Sequence, residues 1–330
     1  MIQFLSDNID QLDLALDQLA VSERNFDRFA LMLIDNVVEL TLHRFAQDMA
    51  SDNDAWKLLG KAKHDPKTVE LALGQNFDSK AKGSRKLGLL DEALCESILN
   101  LHGFRNTAYH RGLRHDGILH SITIFYFRNA CTLLKSYKPR YWSWSSADAV
   151  SHRAMKYLGE PRLGRHEETF IGAYDRLDCV AASMKEDLIG DLARNMSEII
   201  DSVDQELDFL AKDAPQRRTR NQVVIESQAW PFAFTDEAKT YAKANGYDKK
   251  DMAGLVQWIT ENYDWPVKND PIDSWRVRLD ALRSEKDYHR VLKRYCDFIR
   301  QTDDLRSHIG EAAVQLDSYI QQQIDIARGK

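Results

Sequence analysis

Apolar residues recur at three- and four-residue steps along nearly the whole chain, with polar residues filling the positions between them. Phe26, Phe29, Ala30, Leu33, Ile34, Val37, Leu40 and Phe45 follow the i, i+3, i+4 spacing of an amphipathic helix, and Ser22 stands where an N-cap belongs. The same pattern predicts a helix opened by Asp54 and running through Leu59, and a third opened by Asp65 and Pro66 and ending at Leu73. The polar run Gln75 to Ser84 reads as a loop. A helix is expected from Asp91 to Phe104, and another, capped by Asp116, from Ile118 to Tyr137. Together these make a bundle of four or five helices that ends near residue 140.

Beyond the aromatic segment Tyr141, Trp142 and Trp144, the pattern changes. Apolar residues at 177, 181, 184, 188, 192, 196, 199, 203, 207 and 210 lie close to an eleven-residue repeat and predict one long helix with an acidic outer face. Gln216 to Asn221 reads as a basic loop and Gln222 to Ile225 as a short strand. Helices resume over Asp236 to Ala244, Lys249 to Asn262 and Ser274 to Arg290, with a break near Ser284, and continue to Gln323. The expected architecture is all-α, with a bundle over residues 1–140 and a larger, mostly helical accessory or regulatory region over 141–330.

A chain of 330 residues with 43% hydrophobic and 29% charged residues has room for two cores and an ordinary globular composition. It contains no run of 18 apolar residues, and the start MIQFLSDNIDQLDL lacks a basic region followed by a long apolar stretch, so a cytoplasmic protein without a membrane partner is expected. Cys95, Cys131, Cys179 and Cys296 are far apart and form no CxxC pair, which points to reduced thiols rather than metal ligands. The net charge of −6 argues against broad coating of nucleic acid. Between Lys80 and Arg114, however, seven Lys/Arg face three acids, a local excess of +4 that suits RNA.

The candidate chemistry lies in Leu101 to Leu113, LHGFRNTAYHRGL, where Arg105 and Asn106 precede His110 by a short step. With 25 Arg and 10 His in the chain, about two Arg/His pairs at such spacings arise by chance. Three occur: Arg105/His110, Arg114/His120 and Arg283/His289. Only the first has Gly103 and Phe104 before it, Asn106 after the arginine and an apolar helical run leading in. Gly103, Phe104, Arg105, Asn106 and His110 resemble, residue by residue, the signature of the HEPN superfamily, over about residues 22–138. That resemblance implies a small all-helical domain of the kind often found as a metal-independent ribonuclease, toxin or antiviral effector.

Such a site needs no cofactor. Arg105 holds phosphate oxygens as charge builds, and His110, whose imidazole has an ordinary pKa of about 6.5, serves as base or acid while the 2′-hydroxyl attacks. The product is a 2′,3′-cyclic phosphate. Residues five apart on a continuous helix diverge by roughly 140°, so either the helix loosens or two chains combine. The resemblance implies the second, with two copies facing each other about a two-fold axis, and a homodimer is expected. Asn106 is expected to orient Arg105 or cap the local turn and is counted with the catalytic pair. Tyr109, Arg111 and Arg114 are candidates for stacking on bases and pairing with phosphates, with a packed aromatic as the alternative for Tyr109. Gly112 closes a helix end, and Glu39 is the acid expected to face the site from an earlier helix. HEPN toxins silenced by an adenylylating antitoxin tend to carry Tyr where this chain has Gly112, which speaks against that particular control.

Competing readings have specific residues behind them. His102, His110, His115 and His120 cluster, but at spacings that give no i, i+4 pair of a helical zinc site, so no metal ligand is assigned. No GxGxxG or phosphate loop is present. Ala242, Gly246 and Met252, with Lys249 and Lys250, follow helix-turn-helix spacing and would make a DNA-binding regulator. A catalytically inactive HEPN-like interaction scaffold is the remaining alternative. An antitoxin or a phage-derived trigger is the partner expected of residues 141–330, with RNA the substrate of the bundle.

Overall fold

Leu5, Ile9, Leu12, Leu16 and Leu19 bury one face of α1 (Ile2–Val21), which packs along α2 (Arg24–Lys57). The computed structural model describes all residues except 58–59, 111–115, 143–149, 160–166, 248–250 and 330, together with the backbone alone at Tyr109, His110 and Asp116. Ser22 adopts a left-handed conformation with φ 55° and gives its N–H to the Leu19 carbonyl. It therefore terminates α1, where it was expected to open α2. Asp54 likewise opens no helix, because it lies inside α2.

At α3 (Pro66–Leu73) the local chemistry decides the outcome: the Asp65 carboxylate accepts the Thr68 N–H at 2.9 Å, and Pro66 occupies the first turn. The segment expected as a loop after it is instead α4 (Phe77–Lys86). Asn76 caps it through the Ser79 N–H at 2.9 Å. Its inward residues Phe77, Lys80, Ala81 and Ser84 keep helical spacing, but two of the four are polar, and this hides the stripe from a hydrophobic pattern. Gly83 lets α4 lie against α3. A Cβ there would stand 2.8 Å from Ala72 Cβ and 3.0 Å from Ala72 Cα.

That contact makes a prediction in which two effects oppose each other. Alanine gains about 1 kcal/mol over glycine in a helix interior, whereas overpacking against backbone that cannot yield costs typically 1–3 kcal/mol. Gly83→Ala should therefore be less stable than the wild type in urea titration. A variant as stable as the parent would show that α3 and α4 separate freely.

α5 (Glu92–His110) and α6 (Asp116–Ser136) pack on each other and on α2. α7 (His152–Leu158) and α8 (Glu167–Ala182) follow, resting on α1 and, for α8, on α6. The apolar stripe from Leu177 to Leu210 belongs to two helices, since α8 ends at Ala182 and α9 (Leu188–Lys212) begins after a turn. Asp187 caps the new helix by accepting the Gly190 N–H at 2.9 Å. Each helix buries its own apolar face, so the spacing carries across the break that separates them.

The remaining helices are α10 (Arg220–Ala233), α11 (Asp236–Ala244), α12 (Met252–Asn262), α13 (Ile272–Arg283) and α14 (Tyr288–Ala327). The expected strand at Gln222 to Ile225 is helical. Thr219 and Gln222 form a reciprocal capping box there, and this local start, with Val223 and Val224 buried, overrides the β preference of the valines. Among the described residues the chain holds fourteen helices and no strand, and no helix is long and apolar enough to cross a membrane.

Two compact units result, one of residues 1–192 with 286–293 and one of 193–285 with 294–330. In the second, Ala229, Ala233, Ala238, Ala242, Leu255, Ile259 and Trp265 form a core between α10, α11 and α12. Met252, which helix-turn-helix spacing would bury, is 36% exposed, and Lys249 and Lys250 lie outside the described residues. α10, α12 and α14 also wall a groove of about 1010 Å³ whose lining includes Glu226, Glu261 and Glu311. Arg218, also on the lining, pairs with Glu226.

Candidate functional site

Asp91 caps α5 by accepting the Leu94 N–H at 2.8 Å, and Leu94, Ile98, Leu101 and Ala108 lock the helix into the core. This burial fixes the rotation of α5 and sets His102, Arg105 and Asn106 along its margin. The helix runs unbroken through His110, so the backbone does not loosen within the motif. Positions 105 and 110 consequently lie about 140° apart around the axis of one chain's helix. The side chains of Tyr109 and His110, and all of Arg111, Gly112 and Arg114, lie outside the described residues.

Asp35 on α2 is the hub of the site. Its carboxylate is 2% exposed and receives the Tyr126 hydroxyl at 2.8 Å, the His102 Nδ1 at 2.9 Å and the Arg105 Nε as an ion-pair contact at 3.3 Å. Arg105 Nη1 also donates to Asn106 Oδ1 at 3.0 Å, the geometry of an orienting partner. The arginine is thus held on two sides while its side chain stays 32% exposed. Burial, reinforced by the neighbouring Asp35 charge, lifts the Tyr126 phenol well above its usual range and keeps it a proton donor to the carboxylate. Phe77 of α4 lies flat on the His102 ring, with centroids 3.6 Å apart and planes 4° from parallel.

Glu39, one turn further along α2, is taken by Lys80, whose Nζ donates to Oε1 at 2.6 Å from a side chain only 9% exposed. The carboxylate that touches Arg105 is therefore that of Asp35, four residues before the expected acid. A signal for it exists in the sequence: Asp35 occupies a position between Leu31, Val38 and Leu42 where the helical stripe calls for an apolar side chain. A carboxylate in such a place must be paired, and pairing tends to mark structure or function.

The basic patch is more balanced in space than in sequence. Lys80, Lys82, Arg85 and Arg105 are paired with Glu39, Asp78, Glu92 and Asp35. Counting Asp35, Glu39 and Asp78, which fall outside the Lys80–Arg114 window, lowers its excess from +4 to +1. Ion pairing of this kind weakens the patch's attraction for any polyanion.

In the other two Arg/His pairs the described members each have partners of their own, and Arg114 lies outside the described residues. Arg283 ends α13 and contacts Asp280, while His289 lies in α14 and shares a 2.7 Å hydrogen bond with the buried Ser97 of α5. His120 is bound at Nδ1 to Asp27 at 2.7 Å, and that hydrogen bond raises its pKa against the opposing effect of burial. Comparison with known proteins finds no matching family model, no matching curated protein and no matching solved structure.

Proposed function

We propose that the chain is a metal-independent endoribonuclease of the HEPN type, cutting RNA by 2′-hydroxyl attack to leave a 2′,3′-cyclic phosphate. One observation carries the reading: Arg105, on the same unbroken helix as His110, is anchored from behind by a buried carboxylate and from the side by Asn106. A guanidinium held in place needs little reorganisation when the phosphate gains charge, which is the condition for electrostatic stabilisation of a transition state. His110 supplies proton transfer. The angular separation of positions 105 and 110 on one unbroken helix favours a cleft completed by a second copy about a two-fold axis. An inactive scaffold built on the same bundle would bind partners without cutting RNA.

The test is cleavage of a mixed-sequence RNA in excess EDTA, with product ends identified by mass spectrometry and particle mass measured by light scattering. Dimers, cyclic phosphate ends and chelator resistance are expected. Mixing inactive Arg105→Ala with inactive His110→Ala should regain part of the activity, because each heterodimer has one cleft with one Arg and one His. A monomer that cleaves at full rate would overturn the composite cleft, and cleavage lost in EDTA but restored by zinc would overturn the metal-independent reaction.

A further inference from the structure

An ionised carboxylate only accepts hydrogen bonds, so the His102 Nδ1 placed 2.9 Å from Asp35 Oδ1 carries a proton. In the neutral ring, Nε2 is then the bare nitrogen and the basic atom. The flat contact with Phe77 fixes the ring plane as firmly as the hydrogen bond fixes its rotation. His102 Nδ1 lies 3.2 Å, and Arg105 Nε 3.3 Å, from the same Asp35 Oδ2, which makes the imidazole and the guanidinium neighbours on one carboxylate. They are three positions apart on α5 and share a face, as residues at i and i+3 do. His102 is 14% exposed, on the margin of the site rather than sealed in the core.

The reaction proposed above needs a base for the 2′-hydroxyl and an acid for the leaving oxygen in the same turnover, and His102 is the imidazole held on the same carboxylate as Arg105, with Nε2 left basic. We infer that His102 is the general base of that reaction, acting from the chain that supplies Arg105; the inference rests on the nuclease reading. Nε2 of His102 takes the 2′-hydroxyl proton, the 2′-oxygen bonds to phosphorus, and the bond from phosphorus to the 5′-oxygen breaks. The 5′-oxygen takes a proton from the protonated His110 imidazole, and Arg105 holds the non-bridging oxygens throughout. One proton leaves the 2′-oxygen and one reaches the 5′-oxygen, so the ribose-phosphate chain is cut with no other reactant. Asp35 on α2 and the un-ionised Tyr126 on α6 orient the base, while the Glu39–Lys80 pair one turn away balances its own charge.

His102→Asn separates this role from a structural one, because the asparagine amide can still donate to Asp35 but has no basic nitrogen in place of Nε2. Cleavage should fall by about 10²- to 10⁴-fold, the acid side of the pH–rate profile should lose one ionisation, and affinity for a 2′-O-methyl oligonucleotide should stay as in the wild type. Arg283→Ala serves as the control at full rate. Wild-type cleavage by His102→Asn, with Arg105→Ala inactive, would overturn the inference and leave the nuclease reading standing; wild-type protein that cuts no RNA would overturn both. Nitrogen NMR of the unmutated protein gives an answer even if the variant fails to fold. An Nδ1–H tautomer whose Nε2 signal shifts when the 2′-O-methyl oligonucleotide is added supports the role, and an Nε2–H tautomer or an unmoved signal overturns it.

Discussion

Replacing Arg105 with alanine should lower RNA cleavage by at least about 10²- to 10³-fold while the helical content by circular dichroism stays unchanged. The magnitude is that of removing one preorganised donor aimed at developing charge. The fold should survive because α5 is held by Leu94, Ile98, Leu101 and Ala108, none of which touches the guanidinium's role, and because Asp35 keeps His102 and Tyr126 as partners. Arg105→Lys sharpens the test. A lysine keeps the positive charge but loses the planar fork, so it should recover RNA affinity more than turnover. Cleavage at the wild-type rate in Arg105→Ala would end the nuclease reading. Arg283→Ala is the appropriate control, whereas His289→Ala is not, since it strips the buried Ser97 hydroxyl on α5 of a partner and costs stability by itself.

What the pattern of residues makes legible depends on whether the local signal and the tertiary demand agree. At α3 they agree: Asp65 and Pro66 specify a helix start by capping chemistry that needs no neighbours, and the helix begins there. α11 is legible for the same reason, with Thr235 capping through the Ala238 N–H. At α4 they disagree, because Lys80 and Ser84 occupy inward positions and the stripe reads as polar. The break between α8 and α9 is invisible to periodicity because both helices bury leucines at compatible spacing on either side of it. In the site, Arg105 and Asn106 stand out by type and order. Asp35 shows only as a carboxylate on an apolar stripe and His102 not at all, since what pairs them is α2 and α5 lying side by side, which no spacing along the chain encodes. Glu39 has the expected residue type on the expected helix, yet the partner that meets it is Lys80.

Asp35→Ala should be as damaging to the bundle as truncating a core residue, lowering unfolding free energy by about 3–5 kcal/mol. The estimate follows from what is left behind. The carboxylate is 2% exposed, and its removal leaves the fully buried Tyr126 hydroxyl without its acceptor, takes from the His102 ring the oxygens it meets, and takes from Arg105 the buried carboxylate beside its Nε. The Tyr126 hydroxyl and the His102 ring are each left with a largely buried polar group to satisfy, at about 1–3 kcal/mol each, while Arg105, 32% exposed and bonded to Asn106, adds less. Asp35→Asn preserves the volume and one acceptor oxygen, so it should lose less stability, but it no longer supplies the charge that holds Arg105. Cleavage by the asparagine variant should therefore fall mainly in kcat, with KM for RNA little changed, because the guanidinium remains present but is held from the Asn106 side without the charge behind it. Urea titration of both variants beside steady-state kinetics of the folded one separates the two roles. An alanine variant within about 1 kcal/mol of the wild type would mean that the three donors find other acceptors, and that Asp35 is not what holds Arg105 in place.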